Sequence, residues 1–358
     1  MRVRVITALD DIVCLQSRWD KLVQSERLDI SATFDWAMAL LESHLDNKGL
    51  TVVTVEDDAG TLQGIFPFYV KQKTVRKLPV NVICPIAQLF CIHHDLLIRS
   101  GRHDVLKIMI DQLNNIPGVK GWNTIEVPEV ECGSSTDCVL SELSKTYKYN
   151  SIVCKGSLSP FIKMDGISWD EYFASINKKF RSNFKRKQKN FDESGKAEIQ
   201  KVDHIADRLN VIDAIESKSW KHKNLSAIDD VDEQKKFYEY LMNKYGKQFL
   251  FFTLLFDGKY VSYTMGLLFN RKYYSLKTSY DETFRKLSPG IVLRLKLLQY
   301  CFDNKLLEFD FCGKNEPWKM EFTEVLRNHN NYIIYNNNIY SRILYAVSRF
   351  PARGEKAA

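Results

Sequence analysis

The chain has 358 residues, 45% of them hydrophobic and 12% aromatic, which is enough for two domains of roughly 100–200 residues each. No run approaches the ~18 uninterrupted apolar residues of a membrane-spanning helix, and the alternating residues 1–6 lack the apolar stretch of a signal peptide. We therefore expect a cytoplasmic protein. The formal net charge of +7 permits an anionic partner without identifying one.

The eight cysteines are not spaced as metal ligands or as a disulfide framework. None belongs to a Cys-x-x-Cys pair, so in a chain without an export signal we expect them to be reduced and mostly buried. His93 and His94 form the only pair of adjacent histidines. Without ligand spacing around them, the sequence predicts a core or turn role for this pair and no metal site.

The first part of the chain is predicted to mix helices with strands. Helices are expected over residues 11–24, 34–45 and 101–115, and strands over residues 50–56, 62–71 and 122–127. A turn at Asp58, Ala59 and Gly60 separates the first two strands. The pattern loosens over residues 151–160, and we place a domain boundary there, at residues 155/156.

The second part is predicted to begin with helices and to continue with an antiparallel meander. Ser168 and the acidic residues after it start a helix, and a further helix covers residues 204–221. Three strands follow in quick succession over residues 249–256, 260–269 and 272–280. A helix over residues 291–304 and a strand over 306–312 complete the order β-β-β-loop-α-β.

The loop before residue 291 is a candidate phosphate site. Ser288, Pro289 and Gly290 precede the helix, and Arg285 and Lys286 stand beside them. The first N–H groups of a helix lack internal partners and the helix dipole adds positive charge, so the position suits a phosphate or pyrophosphate. The alternative is a turn that only ends a strand and starts a helix.

A second candidate is the end of the predicted strand 306–312. Asp310 lies near that end, and Glu316 and Lys319 follow in a polar segment. Carboxylates and a lysine suit proton transfer and charge stabilisation, whereas the alternative is a solvated loop after an edge strand. Cys312 is a possible nucleophile for a covalent acyl intermediate, although no histidine lies near it in the sequence.

The helix over residues 178–189 carries a dense basic face. Seven of these twelve residues are Lys or Arg, among them Arg181, Lys185 and Arg186. Because like charges at i,i+4 repel, an anionic ligand would relieve them. Coenzyme phosphates, a tRNA acceptor stem and a lipid-linked substrate at a membrane surface all remain open, as does a solvated face. On the next helix, Glu216 and Trp220 are candidate pocket residues, with core packing of Trp220 as the alternative.

Several spaced motifs resemble, in order, those of the CelD/BcsL-like acyltransferases of the GNAT superfamily. They are Ser159-Pro160-Phe161-Ile162 through Trp169 and Tyr172, Lys179 to Arg186, Ser194-Gly195, Ser219-Trp220-Lys221, Tyr280-Asp281, Ser288-Pro289-Gly290, Asp310-Phe311, Gly313, Glu316 and Trp318-Lys319. The arrangement is also similar to that of the FemAB-type aminoacyl transferases. The likeness covers residues 159–322, and the first part resembles the family's degenerate GNAT half only in outline.

This resemblance implies an α/β (α+β) fold of two tandem GNAT-like domains, each with a mixed, largely antiparallel sheet flanked by helices. The expected boundaries are residues 1–155 for a degenerate N-terminal domain, 156–350 for the acyltransferase domain and 351–358 for a flexible tail. The loop at Ser288 would stand where GNAT enzymes bind pyrophosphate, although the usual Q/R-x-x-G-x-G/A pattern is absent.

The resemblance also implies transfer of an acyl group to an amine, such as an amino sugar or nucleotide sugar in envelope polysaccharide assembly. The expected donor is acyl-CoA (acetyl-CoA included), without a metal, and aminoacyl-tRNA is the alternative. Asp310 or Glu316 would be the base, Lys319 would stabilise the carbonyl oxygen and Tyr280 would protonate the leaving group. A third hypothesis is a non-catalytic module that binds nucleic acid or a membrane surface, and peripheral contact with the inner membrane stays open. The sequence leaves the acyl group, the acceptor and the oligomeric state undetermined.

Overall fold

In the computed structural model, which describes residues 1–45, 49–86, 93–223, 228 and 231–349, the chain divides into two units. Unit 1 comprises Met1–Ser157 and the segment from Asn328 onward, and unit 2 comprises Leu158–Arg327. The chain passes from one to the other within strand β7 (Ser151–Lys163) and returns within strand β13 (Leu326–Tyr335). None of the described helices is long and apolar enough to cross a bilayer.

The observed division differs from the predicted boundaries at the C-terminal side. The sequence placed residues 328–350 in the second domain, but the described part of this segment belongs to unit 1, since β13 forms an antiparallel pair with β6 (Thr124–Glu131). Residues 151–163 form a strand and not the expected loose connection. The predicted tail, residues 351–358, lies outside the described residues.

Unit 1 contains a largely antiparallel sheet. In addition to β6 and β13, its strands are β1 (Arg2–Ile6), β2 (Thr51–Glu56), β3 (Leu62–Val75), β4 (Leu78–Pro85) and the short β5 (Leu97–Ile98). Their order is β1-β2-β3-β4-β6-β13, with β5 beside β3. Only β4 and β6 run parallel among these neighbours.

Helices of unit 1 cover the sheet and enclose an apolar core. They are α1 (Leu9–Val13), α2 (Gln16–Glu26), α3 (Phe34–His44), α4 (His103–Leu113), α5 (Ser135–Lys145) and, at the end of the chain, α12 (Ile339–Ser348). α3 and α5 start at Thr33 and Ser134, whose side chains accept hydrogen bonds from the helix backbone. α4 packs so closely on β3 that a Cβ at Gly64 would collide with Val105 and Met109.

Unit 2 contains the predicted meander. Its strands are the second half of β7, β8 (Ala197–Lys201), β9 (Phe249–Phe256), β10 (Lys259–Phe269), β11 (Lys272–Tyr280) and β12 (Glu308–Asp310), in the order β7-β12-β11-β10-β9-β8. The prediction for β9, β10 and β11 is confirmed almost to the residue. Only β11 and β12 run parallel in this set.

The helices of unit 2 are α6 (Trp169–Ser175), α7 (Lys178–Ser194), α8 (Ile205–Glu216), α9 (Trp220–Lys223), α10 (Asp232–Tyr245) and α11 (Pro289–Asp303). A capping box at Ser168 and Glu171 starts α6, as the sequence predicts. The single helix expected over residues 204–221 is two helices, since α8 ends where the Ser219 hydroxyl donates to the Glu216 carbonyl. The expected strand 306–312 is shorter, because the backbone turns at Cys312 with a φ of 55°.

Candidate active site

Strands β11 and β12 separate at their carboxyl ends. They pair only where Lys272–Tyr274 of β11 faces Glu308–Asp310 of β12. β11 then continues to Tyr280, whereas the chain leaves β12 and turns at Cys312. The carboxyl ends of parallel strands meet at one edge of a sheet, and such edges commonly bind ligands. We call the space between residues 275–280 and residues 311–319 the notch.

A bulge in β11, at Leu276, shapes the strand that borders the notch. The register with β11 shifts between Met265 and Gly266, so that Gly266 lies opposite Ser275 and Met265 opposite Lys277. A Cβ at Gly266 would collide with the Tyr274 carbonyl oxygen, which explains the glycine. The Ser275 side chain contacts α11, whereas that of Lys277 points to α8.

Arg294 of α11 lies at the start of the notch. Its side chain is buried (2% exposed), and Nη1 donates a hydrogen bond of 2.8 Å to Ser275 Oγ. The guanidinium carbon lies 4.7 Å from the centre of the Trp318 ring and 5.8 Å from that of Phe311. Burial lowers the pKa of Arg294 to about 10.

Arg294 retains hydrogen-bonding capacity. A guanidinium has five N–H donors, and the bond to Ser275 is the one side-chain hydrogen bond that Arg294 makes within the described part of the chain. No described carboxylate lies within ion-pair distance of it. A buried cation in this state suits the recognition of a negatively charged oxygen.

A second buried cluster surrounds Glu216 at the end of α8. Its Oε1 accepts a hydrogen bond of 2.6 Å from the Tyr263 hydroxyl, and its Oε2 accepts one of 2.6 Å from the Ile228 backbone N–H. Lys221 Nζ lies 3.7 Å and Lys277 Nζ 4.0 Å from Glu216 Oε1. The structure thus assembles one carboxylate and two ammonium groups away from solvent.

The pKa of Lys221 in this cluster is lowered from its ordinary value. Burial, followed by the positive charge of Lys277, lowers the pKa of Lys221 to about 8, against the opposing effect of Glu216. Its Nζ also donates to the Thr278 carbonyl at 2.5 Å, two residues before Tyr280 on β11. An amine of this pKa can accept a proton near neutral pH.

Asp310 is fully buried and already engaged at both carboxylate oxygens. Oδ1 accepts from the Cys312 backbone N–H at 2.7 Å, and Oδ2 accepts from Arg327 Nη1 at 2.8 Å. Arg327 also donates through Nη2 to Glu308 at 2.9 Å. These bonds fix the backbone turn after β12. They hold the Asp310 carboxylate at this turn, and its role as base stays a prediction.

Lys319 is buried within the polar segment after β12. Its Nζ donates to the carbonyls of Cys312 at 2.5 Å and Lys314 at 3.0 Å, and lies 3.1 Å from Glu316. An ammonium has three N–H donors, so all three are directed to this loop. Glu316 is half-exposed and also accepts from the Trp318 indole N–H at 3.0 Å. The predicted stabiliser Lys319 and base Glu316 thus hold the loop that borders the notch.

The predicted phosphate loop lies at the amino end of α11. Ser288 adopts the left-handed conformation (φ 54°, ψ 51°), Pro289 occupies the first turn, and the Ser288 side chain does not cap the helix. A Cβ at Gly290 would come no closer than 3.7 Å to Tyr280 Cδ1 and 3.9 Å to Ser262 Oγ. Tyr280 and Gly290 are therefore neighbours.

Arg285 and Lys286 stand beside this helix start. Both side chains are exposed, in a 3₁₀ turn whose start is capped by Asp281, which accepts from the Thr283 backbone N–H. Neither makes a side-chain hydrogen bond or ion pair with a described residue. The position thus combines two available cations with an uncapped helix start.

No contact among the described residues connects Arg181, Lys185, Arg186 or Trp220 to the notch. Arg181 donates to the Ala174 carbonyl at 2.6 Å and Arg186 to Asn183 at 2.8 Å, both on or next to α7. Lys185 Nζ lies 6.0 Å from the centre of the Phe173 ring, which belongs to α6. Trp220 is 45% exposed and precedes Lys221, so core packing does not account for it.

The histidine pair has the predicted core role. Both rings are buried, and His93 Nδ1 lies 2.8 Å from Nε2 of His329 in unit 1. Burial lowers the pKa of His94 to about 4. The described residues contain no cluster of three potential metal ligands, and the seven cysteines among them are free thiols. Cys312 is buried and its thiol lies 3.6 Å from the Asp310 carbonyl oxygen.

The comparison with known families identifies one matching segment. Residues 178–320 match the family model described as "Acetyltransferase (GNAT) domain", a span that includes the notch and the start of α11. The match to a GNAT acetyltransferase domain is confined to this span. The predicted enzyme class is confirmed, while the narrower CelD/BcsL-like resemblance stays a prediction. No curated protein sequence matches the chain.

Solved structures share the fold over nearly the whole chain at low sequence identity. The crystal structure of FemX is 14% identical with a TM-score of 0.68, covering 96% of this chain and 100% of that chain. The C-terminal domain of a putative lysylphosphatidylglycerol synthetase from Agrobacterium fabrum is 10% identical (TM-score 0.55; 94% and 96% covered). A tandem GNAT protein from the clavulanic acid biosynthesis pathway is 11% identical (TM-score 0.50; 93% and 98% covered). The predicted tandem GNAT fold is confirmed.

Three cations in or near the notch were missed as functional candidates. Lys221 belongs to a motif quoted for the resemblance, but nothing local signals its burial. Arg294 follows an apolar stretch at the start of α11, and a charged residue in such a stretch is a signal that would have selected it, because charged residues are rarely fully buried. Lys277 lies among the polar residues of β11, which give no such signal.

Proposed function

We propose that this protein is an N-acyltransferase that moves an acyl group from acyl-CoA to an amine, in the assembly of an envelope polysaccharide. The observation that supports it best is the notch. It combines a buried Arg294 with unused donors, an amine of lowered pKa at Lys221, and the amino end of α11 beside Tyr280. The acceptor class, an amino sugar or a nucleotide sugar, rests on the family resemblance.

The donor's pyrophosphate would bind at the start of α11. Gly290 supports this assignment, since neither its backbone angles nor its neighbours require a glycine. A glycine inside a helix costs about 0.5–1 kcal/mol relative to alanine. Its presence is explained if a ligand approaches the backbone N–H closely, with Arg285 and Lys286 as additional cations.

The chemistry is a direct attack by the acceptor amine on the acyl carbonyl carbon. A C–N bond forms and the C–S bond of the thioester breaks. Lys221 in its neutral form takes the proton that the amine loses, with Glu216 stabilising the resulting ammonium. Arg294 donates hydrogen bonds to the carbonyl oxygen as it gains negative charge. Tyr280 gives its proton to the leaving thiolate.

Asp310, Glu316 and Lys319 act in this proposal by positioning. Lys319 and Asp310 fix the backbone from Cys312 to Lys314, and Trp318 of the same segment stacks on the Arg294 guanidinium. Their loss would therefore displace Arg294 without removing a group that transfers a proton. Activity should depend on all three, whereas its pH dependence should follow Lys221.

The direct test is release of free coenzyme A from acetyl-CoA in the presence of glucosamine or a uridine diphosphate amino sugar, followed with a thiol reagent. Turnover by the wild-type protein and its loss in Arg294→Met are the expected results. Glu239→Gln, a substitution on α10 away from these groups, is the matched control. Acetyl-CoA that neither raises the melting temperature nor is turned over with any amine would refute the proposal.

Aminoacyl-tRNA is the second candidate donor. The shared fold with FemX and the basic face of α7 favour it. Transfer of a labelled amino acid from charged tRNA, without turnover of acetyl-CoA, would support this function. Its tRNA binding should weaken steeply with added salt. Binding of RNA or of anionic vesicles without any transfer would instead favour the non-catalytic module.

A further inference from the structure

A half-open cavity of ≈ 210 Å³ lies in unit 2 between α6, α7 and α11. Its apolar wall is formed by Trp169, Phe173, Phe184 and Leu295. The Trp169 and Phe173 rings are stacked, with centres 5.4 Å apart and planes at 24°, and the Phe184 ring meets Phe173 edge-on at 5.9 Å. The cavity thus offers a rigid aromatic surface.

Four polar side chains border the same cavity. They are Lys185 and Gln188 on α7, and Lys296 and Gln299 on α11. None of the four makes a side-chain hydrogen bond or an ion pair with a described residue. Lys185 Nζ lies over the Phe173 ring, 6.0 Å from its centre. Two cations and two carboxamides around an aromatic wall therefore remain available to a ligand.

The cavity is separate from the proposed donor site. Lys296 and Gln299 follow Gly290 by six and nine residues on α11, which at about 1.5 Å per residue is roughly 9 and 13 Å along the axis. At ≈ 210 Å³ it is smaller than the ~300–1,000 Å³ typical of sites that enclose a whole ligand. It would hold one flat group and leave the rest of the ligand outside.

We propose that this cavity binds the nucleoside phosphate portion of a ligand, with the base against Trp169 and Phe173 and the phosphate on Lys185 and Lys296. Every base has a π-face that stacks on aromatic rings. The two carboxamides, each with donors and an acceptor, match the mixed donors and acceptors of a base edge. The phosphate then meets ammonium groups that have no carboxylate partner among the described residues.

An aliphatic anion would use the wall and the lysines but would leave both carboxamides without partners. That difference favours a nucleotide over a lipid. The nucleotide has two plausible sources, the adenosine end of a coenzyme and the uridine diphosphate of a nucleotide-sugar acceptor. Nucleotide binding can be measured without turnover, so the test of this site does not depend on acyl transfer.

The test is equilibrium binding to the full chain by calorimetry, with adenosine 3′,5′-bisphosphate, uridine diphosphate, inorganic phosphate and vesicles of anionic phospholipid as separate probes. At least one nucleotide should bind about tenfold tighter than phosphate, and which one it is identifies the source. Lys296→Met should weaken it about tenfold, and Trp169→Leu roughly 5- to 150-fold. Lys178→Met, a basic residue of α7 outside the cavity, should leave it unchanged.

Three results would overturn the proposal. The first is that nucleotides bind no more tightly than phosphate, and the second is that Lys296→Met and Lys178→Met weaken nucleotide binding equally. The third is that vesicles bind through Lys296 while nucleotides do not bind. Gln299→Ala provides a second, milder substitution if Trp169→Leu lowers the melting temperature. A protein without acyl transfer that still binds nucleotide through Lys296 would refute the proposed function and leave this site in place.

Discussion

Replacing Gly290 by alanine should separate folding from donor binding. The backbone at Gly290 does not have a positive φ, and the new methyl would meet Tyr280 Cδ1 at 3.7 Å and Ser262 Oγ at 3.9 Å, which is ordinary contact. The substitution therefore fits the folded state and restricts the unfolded chain. We expect the free energy of unfolding to rise by about 0.4–1 kcal/mol. For a unit of this size, 1 kcal/mol corresponds to about 2–4 °C in melting temperature.

The same methyl group should impair binding of acyl-CoA. It would occupy the space beside the first N–H groups of α11 that the pyrophosphate needs. Loss of one hydrogen bond to a charged group costs about 1.5–3 kcal/mol, or roughly 10- to 150-fold in affinity. Gly290→Ala should thus melt slightly higher than wild type and bind the donor at least about tenfold more weakly.

Thermal melts and calorimetric titration with acetyl-CoA measure the two effects on the same samples. Gly266→Ala is the informative contrast, because its methyl would collide with the Tyr274 carbonyl oxygen and should lower the melting temperature. If Gly290→Ala binds acetyl-CoA like wild type, the start of α11 does not hold the donor. If it is strongly destabilised, Gly290 is structural and the inference from its neighbours is wrong.

Arg294→Met should lower kcat by about 10²–10³-fold in steady-state assays, yet leave the melting temperature equal or higher, because an apolar chain replaces a buried cation. The pKa of Lys221 is about 8 in the folded protein and 10.5 in the unfolded chain. Between these pH values the unfolded chain binds one more proton, so the free energy of unfolding of the wild type should rise as the pH increases from about 8 to about 10.5. Urea unfolding should show a smaller rise in Lys221→Met. Arg327→Met should destabilise by about 3–5 kcal/mol in urea, since buried Asp310 loses its partner. Glu316→Gln removes a half-exposed carboxylate and should cost less than about 1 kcal/mol, and losses equal to those of Arg327→Met would contradict this reasoning.

Local patterns predicted the central elements of unit 2 well. β9, β10 and β11 are long, apolar and separated by turn residues, and the start of α6 has its capping signal in the sequence. β7 was missed because residues 151–160 contain Gly, Ser and Pro, which are typical of loops. At its end, Phe161–Lys163 pair with Glu308–Asp310 of β12, a contact between residues nearly 150 positions apart in the chain.

The surroundings of the candidate site residues could be predicted only in part, for the same reason. The Ser288–Gly290 loop and Tyr280 were selected by position, and the structure places Gly290 beside Tyr280. The role expected for Asp310 as a base depended on its being accessible, which the sequence does not specify. Arg327 occupies its carboxylate from a strand 17 residues further along the chain.

The sequence by itself determined the mixed fold, the order of the meander, the helix that follows it and the acyltransferase class. These follow from periodicity, turn chemistry and ordered motifs, all of which are local. Only the tertiary structure decided which charged groups are buried and what they face. It directed Lys319 to the carbonyls of its own loop and left Arg294 with unused donors in the notch. Burial and hydrogen-bond partners arise from contacts between distant segments, and these set the proton affinity and the available donors of each side chain.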